Sequence, residues 1–136
     1  MNDCGCFKEI ERLHQFFSDW FVGRVDTNTF GYCESALAPD FTMVMPDGCI
    51  SDRHSIVEAI RGQYGARDDS FSIQVAPVAC QRIGDVHVTR YEEHHHGPDP
   101  SRRISTAVLT QTVDGYEWRT VHETWLQDPP TSSGAK

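Results

Sequence analysis

The sequence predicts an α+β protein, with three N-terminal helices packed on a strongly curved antiparallel sheet that would enclose a cavity. Three observations predict it. Ile10, Leu13, Phe16, Phe17, Trp20 and Phe21 recur at helical spacing near the N-terminus. The C-terminal half is a succession of β-former runs, broken at Gly84-Asp85, at Gly97–Pro100 and at Asp114-Gly115. The helical stretches precede the long strands instead of alternating with them, which separates this class from a parallel α/β sheet.

Each element follows from local signals. Phe7–Arg24 is the first helix, with Glu9, Glu11, Arg12, Gln15 and Asp19 on its polar face. Asp26-Thr27-Asn28 supplies N-cap candidates for a second helix, Thr29–Leu37. Ala38-Pro39-Asp40 ends it, because proline disfavours helix in the residue before it. Phe41–Met45 is a short strand, Pro46-Asp47-Gly48 a turn and Cys49-Ile50 a brief return strand. Ser51 or Asp52 caps a third helix, Arg53–Tyr64, which buries Ile56, Val57, Ile60 and Tyr64 and stops at Gly65. Ser70–Ile83 alternates Phe71, Ile73 and Val75, with Pro77 marking a bulge or an edge. Val86–His96 is a long strand, and Arg102–Val113 and Tyr116–Leu126 form a hairpin about Asp114-Gly115. Residues 1–6 are predicted to be a flexible N-terminus, 7–126 one domain, and 127–136, rich in Pro, Ser and Gly, a disordered tail.

Bulk properties exclude several partners. The 136 residues suit one domain with one core. A net charge of −8 argues against nucleic acid and against anionic membrane surfaces, both of which need a basic face. No apolar stretch approaches the ~20 residues that span a bilayer. The first residues lack a basic segment followed by an apolar run, so no signal peptide and a cytoplasmic location are expected. Five cysteines (Cys4, Cys6, Cys33, Cys49 and Cys80) without an export signal suggest reduced thiols. Cys4 and Cys6 could bind metal or be oxidised, but read more simply as an incidental terminus. No cofactor motif such as a glycine-rich phosphate loop is present.

Strand alternation locates candidate chemistry. If Val86 and Val88 face the helices, Arg90, Glu92 and His94 share that face, and Tyr91 faces outward. On the last strand Val121 and Trp125 are the inward pair, which takes Glu123 inward and turns Trp118, His122 and Thr124 outward. The strand 103–113 shows no clearly apolar parity. Arg90 and Glu123 would then share a cavity with Trp20, Met45, Val121 and Trp125 as walls and Glu92 and His94 nearby. Arginine suits a carboxylate or carbonyl oxygen, and a partly desolvated Glu123 could act as general base. The same pair could instead be a plain ion pair that closes the fold, or bulges could reverse the parity. Glu92-Glu93-His94-His95-His96 could bind zinc, yet only His94 and His96 share a side, and a solvated strand end is the simpler reading.

The aromatic first helix, the Phe41–Gly48 strand and turn, and the ending Asp114-Gly115…Trp118…Val121-His122 together resemble the nuclear transport factor 2-like superfamily, a cystatin-like α+β cone. The ending is similar to that of SnoaL-like proteins and of the calcium/calmodulin-dependent kinase II association domain. The resemblance covers about Phe7–Leu126. It implies a small-molecule ligand or a cofactor-independent isomerase, cyclase or lyase reaction in the cone, and a homodimer through the open face of the sheet. It also leaves a non-catalytic oligomerisation module open. Relatives of ketosteroid-isomerase type use an aspartate before the hairpin proline. Met45 stands there, and the second acid position falls near Ala107, so that mechanism is not implied.

Overall fold

The aromatic stripe does form a helix. In the computed structural model, which describes residues 5–126, α1 spans Cys6–Val22 and buries Ile10, Leu13 and Trp20 against the sheet. Gly23 closes it at φ +86°, and its N–H donates to Asp19 and Trp20 carbonyls at 2.9 and 3.1 Å. A Cβ on Gly23 would meet the Cα of Gly65 at 3.3 Å. Glycine therefore lets the end of α1 touch the segment after the third helix, where Gly65 N–H donates to the Trp20 carbonyl.

The second helix is shorter than predicted. A single 3-10 turn, Thr27–Thr29, precedes α2, Gly31–Ala36. The strand β1 then begins at Leu37, ahead of Pro39, and runs to Val44. Proline fits because the pairing of β1 is irregular between Leu37 and Thr42. The Pro46–Gly48 turn leads to β2, Ile50–Asp52. Asp52 caps α3, Arg53–Gly62, by accepting the Ser55 N–H at 2.9 Å. Helix α3 buries Ile56 and Val57, while Tyr64 lies beyond it and is partly exposed.

Four long strands complete the chain: β3 (Ser72–Ile83), β4 (Val86–His96), β5 (Ser101–Thr112) and β6 (Gly115–Trp125). The six strands form one sheet in the order β2-β1-β6-β5-β4-β3. Every neighbouring pair is antiparallel except β1 and β6, which are parallel. The expected all-antiparallel sheet is corrected at that seam, where the chain's first strand meets its last. The β5–β6 turn is Val113-Asp114, one residue earlier than expected, since Thr112 pairs with Gly115. Bulges interrupt β3 between Pro77 and Ala79 and the β5–β6 ladder at Val108/Leu109. Bulges bend strands and add twist, and here they accompany a sheet wrapped around α1 and α3.

The thiols need correcting too. Cys6 is fully buried in the core, not part of a loose terminus, and Cys80 is disulfide-bonded, whereas Cys6, Cys33 and Cys49 are free. Spatial proximity decides which cysteines oxidise, and composition does not show it. The expectations for residues 1–4 and 127–136 lie outside the described residues. Among those described, no helix is long and apolar enough to cross a membrane.

Candidate functional site

Burial along β4 is opposite to the expected parity. His87, Thr89, Tyr91 and Glu93 are buried, whereas Arg90 is exposed and its Nε donates to Thr106 Oγ1 at 3.1 Å on the outer face. Glu92 and His94 lie on that outer face as well, paired with each other at 2.8 Å. Val86 and Val88 misled the reading because they pack on the outer side of the sheet, half-buried, beside β5. On β6, Val121 and Glu123 are inward as expected, but so is Trp118. Val108 pairs with Thr120 and Leu109 with Trp118, so Arg119 is the extra residue that reverses alternation upstream of it.

These parities build a cavity of about 240 Å³ between the sheet and helices α1 and α3. Leu13, Phe17 and Phe21 of α1, Ile56 and Ile60 of α3, and Phe41, Met43 and Met45 from β1 and its turn form hydrocarbon walls. Val121 and Trp118 line it from β6. Trp20 does not line it: its indole is buried between α1 and α3 and donates to the Ile60 carbonyl at 2.8 Å. Trp125 is also outside, stacked 4.8 Å from the Arg103 guanidinium.

Charged groups gather on one wall of this cavity. Arg103 and Glu93 are direct neighbours across the β4–β5 ladder, and Ser105 faces Glu123 across β5–β6. Arg103 Nη1 donates to Glu123 Oε1 at 3.1 Å. Glu93 bonds His14 Nε2 at 3.1 Å through one oxygen and His95 Nε2 at 2.6 Å through the other. His14 Nδ1 lies 2.8 Å from the Ile10 carbonyl, which orients the ring. Arg103 therefore occupies the place that the sequence reading gave to Arg90. His14, Glu93, His95 and Arg103 are the polar site residues that reading missed. His14 had a signal: it stands four residues after Ile10 and three before Phe17, inside the apolar stripe of α1.

The two carboxyls titrate apart. Burial pushes Glu123 up to about 7, the charge of Glu93 adds to that rise, and Arg103 limits it. Burial alone would raise Glu93 too. The His14 charge and hydrogen bonds from His14 and His95 overcome burial and hold Glu93 well below the usual carboxylate range. Burial opposes a charged His14, but Glu93 wins and raises its pKa. Two acids in one pocket, one ionised and one poised near neutrality, are the usual layout for proton transfer.

The histidine run does not form a common metal site. His94 pairs with Glu92, His95 turns inward to Glu93, and His96 reaches Gln74 at 3.2 Å. His122 is exposed on the outer face.

Comparison with solved structures finds the same architecture elsewhere. An NTF-2 like protein of unknown function from Pseudomonas aeruginosa shares 27% identity at TM-score 0.84, over 91% of this chain and 100% of that one. An NTF2-like protein with a cystatin-like fold from Novosphingobium aromaticivorans matches at TM-score 0.65 and 13% identity, over 92% of this chain and 84% of that one. Sucrose-phosphatase 1 of Nicotiana tabacum is 24% identical over 93% of this chain, which spans only 32% of that longer protein. Residues 7–127 match the sucrose-6-phosphate phosphohydrolase C-terminal family, and the chain belongs to that family, built on the nuclear transport factor 2-like cone.

Proposed function

We propose that the protein binds a small, mainly apolar molecule in this cavity, seats one of its oxygens on Arg103, and exchanges a proton with it through Glu123. One observation carries the reading. An arginine side chain lines a hydrocarbon-walled cavity and shares its polar wall with Glu123, to which its Nη1 donates at 3.1 Å. A ligand carbonyl or carboxylate would accept from the guanidinium N–H groups that face the cavity. Glu123, with a pKa of about 7, can both take and return a proton near neutral pH. That suits isomerase, cyclase or lyase chemistry without a cofactor. The volume of about 240 Å³ lies below the ~300–1,000 Å³ of drug-sized pockets, so the molecule is about one ring in size.

The cavity is a poor match for a sugar phosphate. Hydrocarbon walls would leave the hydroxyls of a disaccharide unpaired, at a cost of ~1–3 kcal/mol each. The activity in the tobacco relative's name is therefore not carried over to this cavity.

Thermal unfolding with a panel of one-ring ketones and carboxylic acids tests the reading. A binder should raise the midpoint by a few degrees in the wild type. Arg103→Met should lose the shift, and Glu123→Gln should keep binding but lose turnover. If no panel member shifts the wild type, or if Arg103→Met shifts equally, the reading fails.

A second reading concerns the outer face of the sheet. Val88, Ile104 and Val108 lie there, half-buried, with Thr106 and Thr120 between them. This mixed apolar strip supports a symmetric homodimer in which both copies present the same patch. Tyr91 and Trp118, expected on this face, point inward and add nothing to it.

A further inference from the structure

The side of the cone formed by the first turn of α1 and the β3–β4 hairpin carries a second polar cluster, separate from the cavity. His87 is 2% exposed, and neither of its ring nitrogens has a hydrogen-bond partner. An imidazole must carry a proton on at least one nitrogen, so this ring buries an unmet donor as well as an unmet acceptor. Leaving such groups dry costs on the order of 1–3 kcal/mol each. A ring contact with Tyr116 at 5.3 Å does not meet them. The neighbours that could are two sulfurs. Cys6 Sγ, Cys80 Sγ and a ring nitrogen of His87 all lie within 4.8 Å of one another, and all three residues are buried. Ligands on a tetrahedral zinc, with Zn–S about 2.3 Å and Zn–N about 2.0 Å, stand roughly 3–4 Å apart. Small side-chain rotations close that gap.

We propose that Cys6, Cys80 and His87 form a binding site for a soft divalent cation, zinc, that opens when the Cys80 disulfide is reduced. Sulfur and imidazole donors select zinc over calcium or magnesium, which take oxygen. The chemistry balances in two steps. A thiol reductant supplies two electrons and two protons to the disulfide; its S–S bond breaks, two protein thiols form and the reductant becomes a disulfide. Zinc then forms two Zn–S bonds and one Zn–N bond, while the Cys6 and Cys80 S–H bonds break and two protons leave to buffer. The fourth position is left to a further donor.

The site joins three elements. Cys6 opens α1, Cys80 lies in β3 and His87 in β4. The same sulfur can thus be committed to a disulfide under oxidising conditions or to a metal under reducing ones.

Cobalt reports the ligands directly. The test uses full-length protein in a His94→Ala/His96→Ala background, which removes the outer-face histidines of β4. Reduced with a phosphine and titrated with Co²⁺ without air, it should bind one ion with a thiolate-to-cobalt charge-transfer band and tetrahedral d–d bands. Zinc should displace the cobalt. Cys6→Ala and His87→Phe should each weaken binding by at least the ~10–100-fold lost when merely an outer-shell partner is removed. Cys33→Ala and Cys49→Ala should change nothing. A bound cobalt without a thiolate band, equal affinity in Cys6→Ala, or no binding after reduction would overturn the proposal. Should the variants unfold, the unsubstituted protein decides alone: zinc must slow alkylation of Cys6 and Cys80 but not of exposed Cys49, and equal rates with and without zinc also overturn it.

Discussion

An ionised Glu123 would stand near an ionised Glu93 in a mostly apolar pocket, and this sets its pH behaviour. The folded pKa of about 7 lies above the ordinary value of 4.5. Stability from the neutral carboxyl is therefore fully present below 4.5 and drains as pH rises to about 7. The loss is on the order of 3 kcal/mol, at 1.36 kcal/mol per unit. Urea unfolding across this window should show the wild type falling relative to Glu123→Gln, and parallel curves would refute it. The His14–Glu93 pair behaves differently. Glu93 stabilises above its unfolded value and loses that as pH falls through its depressed folded value; His14 stabilises below 6.5 and loses it as pH rises through its raised one. His14→Leu would remove one of the two hydrogen bonds to the buried Glu93 carboxylate and should lower the unfolding free energy in urea by ~1.5–3 kcal/mol. These residues were only partly legible in the sequence. Glu123 followed from Val121 on the same strand, but Arg103 did not, because the inward side of β5 reads Arg, Ser, Ala, Leu and shows no apolar signal until its far half.

Elements with a local cause were easiest to read. The aromatic spacing marked α1, and Asp52 marked the start of α3 through its side-chain acceptor. Asp52→Ala should lower stability by ~1 kcal/mol, and Asp52→Asn, which retains an acceptor, should recover most of it in the same unfolding experiment. Strand faces were harder. Alternation tells which residues share a side but not which side is inside. In β4 the inward side carries His, Thr, Tyr and Glu, because it supplies the polar wall, and the outward side carries valines. An apolarity rule must choose wrongly there.

For the molecule as a whole, the unreadable feature was the parallel meeting of β1 with β6. No local motif signals a pairing across some eighty residues, such as Thr42 with Thr120. The seam leaves β2 and β3 as the two sheet edges, so the outer strip on β4, β5 and β6 lies on interior strands. A dimer through that strip should show twice the 15.4 kDa chain mass in sedimentation, and Val108→Glu should halve it while leaving the circular dichroism intact. A monomeric wild type would refute the pairing.

The extra residue at Arg119 has a consequence for how this fold can change over time. Its guanidinium is tied to Asp40 at 2.9 Å and to Glu117 at 3.3 Å, so the kink is pinned on both sides. Removing a single codon there would rotate Trp118 toward solvent and empty part of the floor beneath the pocket. Point changes along this ribbon can be absorbed one at a time, but a shift in its length would demand simultaneous rewriting of everything upstream to the turn. Lineages descending from this chain should vary freely in the letters of that segment and hardly at all in their number.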